Sequence, residues 1–272
     1  MFPRVLTESV PAKAARLLIT IIRYSLSLLT GREDLSRATE HLRTEWSSGA
    51  VEQHWSLRAR AFDRIHPRLK LIANLVNDLP EPNQTLLDVG CGPAALRRAI
   101  GSNIEYFGVG IVSGIIGEHD DPAHFAICDL NHDLECFGNK KFDIVVCSGI
   151  FEYIHDPDRF MRFLSLKMSE HGHLIISYEN RQHYRCLPSW LRGELPHYTD
   201  PHFNFMTIPQ MKRLLARYEF QIRKQETLTK GLKNYSLLKY FSSFPANMLS
   251  RQFVLVCVYV GASLLVDTSA NL

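Results

Sequence analysis

The sequence predicts an α/β fold: a doubly wound, mostly parallel sheet that ends in an antiparallel hairpin and is preceded by a helical extension. From residue 85 onward, short apolar segments alternate with helix-like segments. This alternation is typical of parallel strands covered by helices on both faces. The alternation then stops, because a loop rather than a helix joins the last two apolar segments, which indicates an antiparallel pair at the sheet edge.

The predicted elements can be placed in chain order. Helices are expected over 12–30, 33–47 and 50–65, then from Pro67 to about Leu79, where proline suits the first helical turn. Further helices are expected at Ala94–Ile100, Pro157–Ser169 and Ile208–Arg217. Strands are expected at Thr85–Val89, Glu105–Val109, His124–Ile127, Phe142–Cys147, Gly172–Tyr178, Phe220–Leu228 and Gln252–Tyr259.

The length and composition allow one main domain with additions. A chain of 272 residues that is 46% hydrophobic can bury a full core. We expect residues 1–65 to form a helical extension and cap, and residues 66–272 to form the main domain. Within that domain, an insertion at about 178–206 is expected on the substrate side.

Charge and cysteine usage exclude several classes of protein. The net charge of +3 is mild and the chain has no Lys/Arg block, so nucleic acid is not expected as a partner. The six cysteines form no CxxC pair and have no metal-ligand spacing. No metal is therefore expected, and the thiols indicate a reducing, cytoplasmic compartment.

Residues 14–30 form an apolar segment with one polar stripe. Arg16, Thr20, Arg23 and Ser27 recur at helical spacing, and an arginine in mid-segment disfavours a membrane-spanning helix. The segment is expected to pack on its own domain or on a second subunit, as in a homodimer. Peripheral membrane contact through residues 14–30 is the alternative.

Residues 86–94 read Leu-Leu-Asp-Val-Gly-Cys-Gly-Pro-Ala and predict a ligand-binding turn. A buried strand here turns through glycine into a predicted helix beginning at Ala94. Glycine lets a ligand approach the backbone, and a helix N-terminus offers amide groups to a polar ligand. An ordinary strand-to-helix turn is the alternative interpretation.

Further motifs follow this turn in a fixed order. They are Cys128-Asp129-Leu130-Asn131 after the third strand, the stretch from Phe142 to Tyr153 around the fourth, and the stretch from His171 to Asn180 around the fifth. With the glycine turn and the terminal hairpin, this arrangement resembles class I S-adenosylmethionine-dependent methyltransferases, including the small-molecule and methionine-biosynthesis-W-like branches. The resemblance covers roughly residues 52–260 and implies a Rossmann-like, seven-stranded methyltransferase fold.

The resemblance implies S-adenosyl-L-methionine as cofactor. The glycine turn would hold its methionine end and Asp129 its adenine amino group. Where the family usually has an acidic residue that binds the ribose hydroxyls, this chain has Gly110. The implied cofactor-binding residues are Asp88, Gly90, Cys91, Gly92, Gly110, Asp129, Leu130 and Ser148.

The predicted reaction is methyl transfer to a small-molecule acceptor, with oxygen as the favoured accepting atom. A hydroxyl acceptor needs a general base, whereas a carboxylate does not. His202 is the favoured base, because Asp200-Pro-His-Phe-Asn204 places it in a turn beside a carboxylate, and His155 beside Asp156 is the second candidate. Aromatic residues between 178 and 205 are expected either to cover an apolar or sugar-like acceptor or to form a small core of their own.

Two other functions stay open. Gly110 favours a catalytically inactive binding or scaffold protein on the same fold. A nicotinamide-dependent oxidoreductase is also conceivable, because Gly90 to Ala95 fits the GxGxxA fingerprint. That fingerprint, however, requires an acidic residue or an arginine about 20 positions further on, which the stretch after Gly110 lacks.

Overall fold

The computed structural model describes residues 65–81, 84–111, 122–180, 183, 186, 188, 203–204, 206–228 and 250–261. The helices predicted at 12–30 and 33–47, the helix predicted at 50–65 except for residue 65, and most of the insertion at 178–206 lie outside these residues. The described helices are α1 (Pro67–Asn77), α2 (Pro157–Lys167) and α3 (Ile208–Arg217). The strands are β1 (Thr85–Val89), β2 (Glu105–Gly110), β3 (Phe125–Ile127), β4 (Phe142–Ser148), β5 (Met168–Glu179), β6 (Phe220–Leu228) and β7 (Gln252–Tyr259).

The strands form a seven-stranded sheet in the order β3-β2-β1-β4-β5-β7-β6. Neighbouring strands from β3 to β5 are parallel, whereas β7 runs antiparallel to both β5 and β6. The predicted doubly wound, mostly parallel sheet with a C-terminal antiparallel hairpin is therefore confirmed. The final strand inserts between β5 and β6, so the terminal pair extends the sheet beyond β5.

Both faces of the sheet are covered by helices. On one face α1 packs Ile72 and Val76 against apolar residues of the central strands. On the other face α2 and α3 supply Leu164 and Leu215 to a second cluster. Because the central strands are covered on both faces, β1 is buried continuously from Leu86 to Val89 instead of alternating between buried and exposed residues.

The helices begin where the sequence indicates. His66 accepts a hydrogen bond from the Arg68 amide at the start of α1, and Asp156 accepts one from the Arg159 amide at the start of α2. Helix α3 begins with a capping box, in which the side chains of Thr207 and Gln210 bond each other's backbone amides. These caps satisfy amide groups that would otherwise have no acceptor.

Two local predictions are wrong. Residues 94–100 form successive turns instead of a regular helix, because Gly92 (φ +49°) and Ala94 (φ +48°) adopt the left-handed conformation and most of the turn hydrogen bonds span three residues. The second wrong prediction is that the helix starting at Pro157 continues to Ser169. Helix α2 instead ends at Lys167, and β5 begins at Met168, which pairs with Phe142 of β4.

Candidate active site

The sheet order reverses at β1, whose neighbours are β2 on one side and β4 on the other. In open parallel sheets, ligands bind outside the carboxyl ends of the strands at such a switch point. Gly90 directly follows β1, and Ser148 ends β4. The predicted cofactor residues on β1, β2 and β4 and after β3 therefore lie along this one edge.

The glycine loop after β1 is anchored to the neighbouring strand. The amides of Gly90 and Cys91 donate to the Val109 carbonyl at 2.8 and 3.0 Å. They are therefore not directed at a ligand, contrary to the expectation from a helix N-terminus. A Cβ at Gly90 (φ +78°) would lie 3.0 Å from Ile150, whereas a Cβ at Gly92 would have no atom within 4 Å. Gly90 thus permits close packing, and Gly92 borders open space.

Asp88 lies beneath this loop and is only 3% exposed. Its Oδ2 accepts a hydrogen bond of 2.7 Å from the Tyr106 hydroxyl on β2. Burial raises the pKa of Asp88 to about 7, although the hydrogen bond from Tyr106 acts in the opposite direction. Near neutral pH the Asp88 carboxyl is therefore partly protonated and partly ionised. Its hydrogen bond is made with Tyr106 beneath the loop.

The end of β2 carries no side chain beside the loop. A Cβ at Gly110 would make ordinary contacts with Cys91 Sγ at 3.7 Å and with the Gly92 amide nitrogen at 3.9 Å. A longer side chain at this position would thus begin next to the glycine loop. The Gly110 carbonyl accepts from the Cys128 amide at 2.9 Å, which links β2 to the segment after β3.

After β3, Asp129 is held in a tight turn. Its Oδ1 accepts from the Asn131 amide at 3.0 Å, and its Oδ2 lies 3.8 Å from His132 Nε2. The side chain of Asp129 is 18% exposed, so one oxygen can still meet a ligand at the edge. Leu130, by contrast, is buried at 7% exposure and contributes to the core below.

Asn131 joins the loops after β3 and β4. Its Nδ2 donates to the Tyr153 carbonyl at 3.1 Å, and its Oδ1 accepts from the His155 amide at 2.7 Å. Arg159 at the start of α2 donates to the carbonyls of Asn131 and His132, both at 3.0 Å. This bridging role was not predicted, because the sequence does not show which loops become neighbours.

A second unpredicted group lies at the end of β4. Arg68 Nε donates to Ser148 Oγ at 3.1 Å, and the guanidinium rests against Gly149 (φ +66°), where a side chain would collide with it. Glu152 is 2% exposed, and its Oε1 accepts from the Glu179 amide at 2.6 Å. Burial raises the pKa of Glu152 to about 7, while attraction to Arg68 lowers it.

The two predicted bases have different outcomes. The ring of His155 packs edge-on against Phe203, with centroids 4.5 Å apart, and lies beside the Asn131 bridge. His202 lies outside the described residues, so its role stays a prediction. Among the described residues, no group of three potential ligands could hold a metal ion, and no helix is long and apolar enough to cross a membrane.

A profile of the methyltransferase-domain family matches residues 41–225, which is more than half of the chain. The chain therefore belongs to the methyltransferase-domain family. This confirms the predicted class I, S-adenosylmethionine-dependent family.

Solved structures support the same fold. A methyltransferase from Haloferax volcanii, in complex with the Trm112 methyltransferase activator, aligns with a TM-score of 0.54 over 77% of this chain and 96% of that chain, at 13% identity. A SAM-dependent methyltransferase from Archaeoglobus fulgidus aligns with a TM-score of 0.50 over 70% and 91%, at 20% identity. At these identities the likeness establishes the fold alone.

A curated relative is the malonyl-[acyl-carrier protein] O-methyltransferase of Anoxybacillus flavithermus (strain DSM 21510 / WK1). It is 24% identical over 136 residues, which are 47% of this chain and 51% of that protein. The match thus spans about half the length of this relative.

Proposed function

We propose that this chain is an enzyme that transfers a methyl group from S-adenosyl-L-methionine to an oxygen of a small-molecule acceptor. The observation that carries the proposal is the meeting of the glycine loop, Gly110 and Asp129 at the switch point of the sheet. The open space at Gly92 is what a ligand approaching the backbone requires. Membership of the methyltransferase-domain family supports the same cofactor.

The residues present fit this cofactor in part. The loop at Gly92 would border its methionine end, and Asp129 Oδ2 is available to accept from its adenine amino group. When bound, the cofactor supplies a methyl group already activated by a positive sulfur. The chain therefore has to align the donor with its acceptor and to exclude water, because no further activation of the methyl group is needed.

The cofactor assignment is tested by filling the space at Gly92. Gly92→Leu should weaken S-adenosylhomocysteine binding at least about tenfold, a loss of about 1.4 kcal/mol. Gly138→Leu is the matched control, since Gly138 also has a positive φ (+51°) and nothing within 4 Å of a Cβ. Both variants carry the same backbone strain, so equal effects on binding in a calorimetric titration would contradict the assignment.

An inactive scaffold is the second candidate function, and Gly110 is the observation that favours it. Without an acceptor at the end of β2, the ribose hydroxyls would lose hydrogen bonds that are typically charge-assisted in this family. A dissociation constant for S-adenosylhomocysteine weaker than about 1 mM would favour the scaffold. A constant in the micromolar range would favour the enzyme.

Transfer at oxygen is supported by the curated relative, which is named as an O-methyltransferase. His202 and His155 are the proposed bases from the sequence, and unchanged turnover in His202→Ala would remove the first of them.

The proposed homodimer and the membrane contact through residues 14–30 are tested together by sedimentation of the full chain with and without anionic vesicles.

A further inference from the structure

Several buried polar side-chain atoms have no hydrogen-bond partner among the described residues, and two of them carry the inference that follows. These two are Glu152 Oε2, after β4, and the Tyr178 hydroxyl on β5. Each residue is only 2% exposed. Buried polar groups are nearly always paired, so two neighbouring exceptions at one sheet edge call for an explanation.

Both side chains are held in place by other contacts. Glu152 Oε1 accepts from the Glu179 amide, and the Glu152 carbonyl accepts from the amides of Phe203 and Asn204 at 2.7 and 3.2 Å. The Tyr178 ring lies 5.8 Å from that of Phe253. The unpartnered atoms are thus fixed parts of the fold.

The Glu152 carboxylate is close enough to Tyr178 to affect the ionisation of its hydroxyl. Burial and the nearby Glu152 carboxylate both raise the pKa of Tyr178. Ile150, two residues before Glu152, is the side chain that a Cβ at Gly90 would meet at 3.0 Å. Glu152 thus belongs to the same turn after β4 as Ile150, which packs against the glycine loop at the switch point where the proposed function places the methyl donor.

The charges around Glu152 come from two elements. The Arg68 guanidinium at the start of α1 attracts the carboxylate, and Glu179 at the end of β5 repels it. With burial the larger influence, the pKa of Glu152 reaches about 7. A carboxyl with this pKa can accept a proton at neutral pH and release it again.

We propose that Glu152 and Tyr178 form the acceptor end of the active site and receive the hydroxyl group of a neutral, largely apolar acceptor. A hydroxyl both donates and accepts, so it complements Glu152 Oε2 and the Tyr178 hydroxyl together. A carboxylate acceptor would instead place a second negative charge in a buried site. The Phe151, Phe203 and Phe253 rings are buried around the two groups, so the surroundings of the proposed site are largely apolar.

This inference rests on the proposed function and assigns Glu152 as its catalytic base, in place of the His202 and His155 side chains predicted from the sequence. The acceptor oxygen forms the new O–CH3 bond while the S–CH3 bond breaks, and the electron pair of that bond stays on sulfur as the neutral thioether. The hydroxyl proton moves to Glu152 Oε2 and leaves to water after the product. All atoms and charges balance without a further reactant.

The test uses the full chain loaded with S-adenosylhomocysteine and three probes of similar shape: benzyl alcohol, benzoate and toluene. Benzyl alcohol should bind about tenfold more tightly than the other two by ligand-observed NMR. Glu152→Gln and Tyr178→Phe should each remove this preference and leave S-adenosylhomocysteine binding unchanged. Equal binding of the probes, a preference for benzoate, or no binding would overturn the proposal.

Glu219→Gln and Tyr259→Phe are the matched controls, because this Glu–Tyr pair lies at the opposite edge of the sheet and its side chains are hydrogen-bonded. Both controls should keep the preference for benzyl alcohol.

With labelled S-adenosylmethionine, Glu152→Gln should lower transfer to benzyl alcohol about 100-fold or more. Absence of transfer in the wild type despite binding, or transfer unaffected by Glu152→Gln, would overturn the role as base. Failure of S-adenosylhomocysteine to bind would instead refute the proposed function itself.

Discussion

At the scale of single residues, Asp88 shows how a buried carboxyl supports the site at a cost to the fold. Its one hydrogen bond from Tyr106 does not offset its burial, so its pKa rises from 3.8 to about 7. Between these two values the folded state binds more protons than the unfolded state. The free energy of unfolding contributed by this group is therefore greatest below pH 4 and is lost as the pH rises through 7.

Asp88→Asn should remove this pH dependence, because the amide keeps an acceptor for Tyr106 and carries no charge. Between about pH 5 and about pH 8, we expect the free energy of unfolding of the variant to rise by roughly 1 to 3 kcal/mol relative to that of the wild type. Urea unfolding at the two pH values measures the difference. Asp78→Asn, which changes an exposed carboxyl, is the control. A constant difference between Asp88→Asn and the wild type would show that Asp88 does not titrate in this range.

Arg68 is the residue through which α1 acts on the site. Its guanidinium spans Ser148 and Gly149 and lowers the pKa of Glu152. Arg68→Gln should therefore raise the pKa of Glu152 further, as followed by NMR titration of the side-chain carboxyl carbon. Arg213→Gln, an exposed change on α3, should leave the titration curve as it is. An unmoved curve in Arg68→Gln would mean that solvent screens this charge.

At the scale of elements, the strands are predicted far better than the loops that join them. Thr85–Val89, Phe220–Leu228 and Gln252–Tyr259 have the predicted bounds. For Gln252–Tyr259 the reason is a long apolar, β-branched run, which leaves few alternatives to a strand. The helix prediction for 94–100 is wrong because nothing in the sequence indicates that Ala94 adopts the left-handed conformation. Helix propensity is a weak guide where the packing of a loop decides the backbone.

The Asn131 bridge is the element-level contact that holds two loops of the site together. Asn131→Ala should cost about 1 to 2 kcal/mol of stability and weaken S-adenosylhomocysteine binding about tenfold, since Asp129 lies in the same turn. Asn77→Ala is a matched control: Asn77 also makes two hydrogen bonds between segments, to Ala99 and Gly101, away from the carboxyl edge. Both variants should lose similar stability in denaturant unfolding, and a similar loss of binding in both would contradict the local role of Asn131.

At the scale of the whole molecule, parallel topology explains which site residues the sequence could predict. Residues at or just beyond the carboxyl ends of the parallel strands, such as Gly90, Asp129 and Ser148, must meet at one edge once the sheet is recognised. Arg68 and Glu152 could not be found this way. Their meeting depends on how the start of α1 and the turn after β4 pack, and no local pattern encodes that contact.

Ligand-linked stability tests the whole assembly at once, because a compound that binds only the folded state raises the melting temperature. At about 100 times its dissociation constant, S-adenosylhomocysteine should add about 2.7 kcal/mol, a shift of roughly 5 to 10 °C for a chain of this size. NADH should produce no shift, since β2 ends at Gly110 without the acidic residue or arginine that a dinucleotide site uses. Differential scanning fluorimetry with both compounds measures this. A shift with NADH alone would favour the oxidoreductase, because the glycine loop would then bind a pyrophosphate. A shift with S-adenosylhomocysteine that is abolished by Gly92→Leu would show that the stabilising ligand binds at the switch point of the sheet.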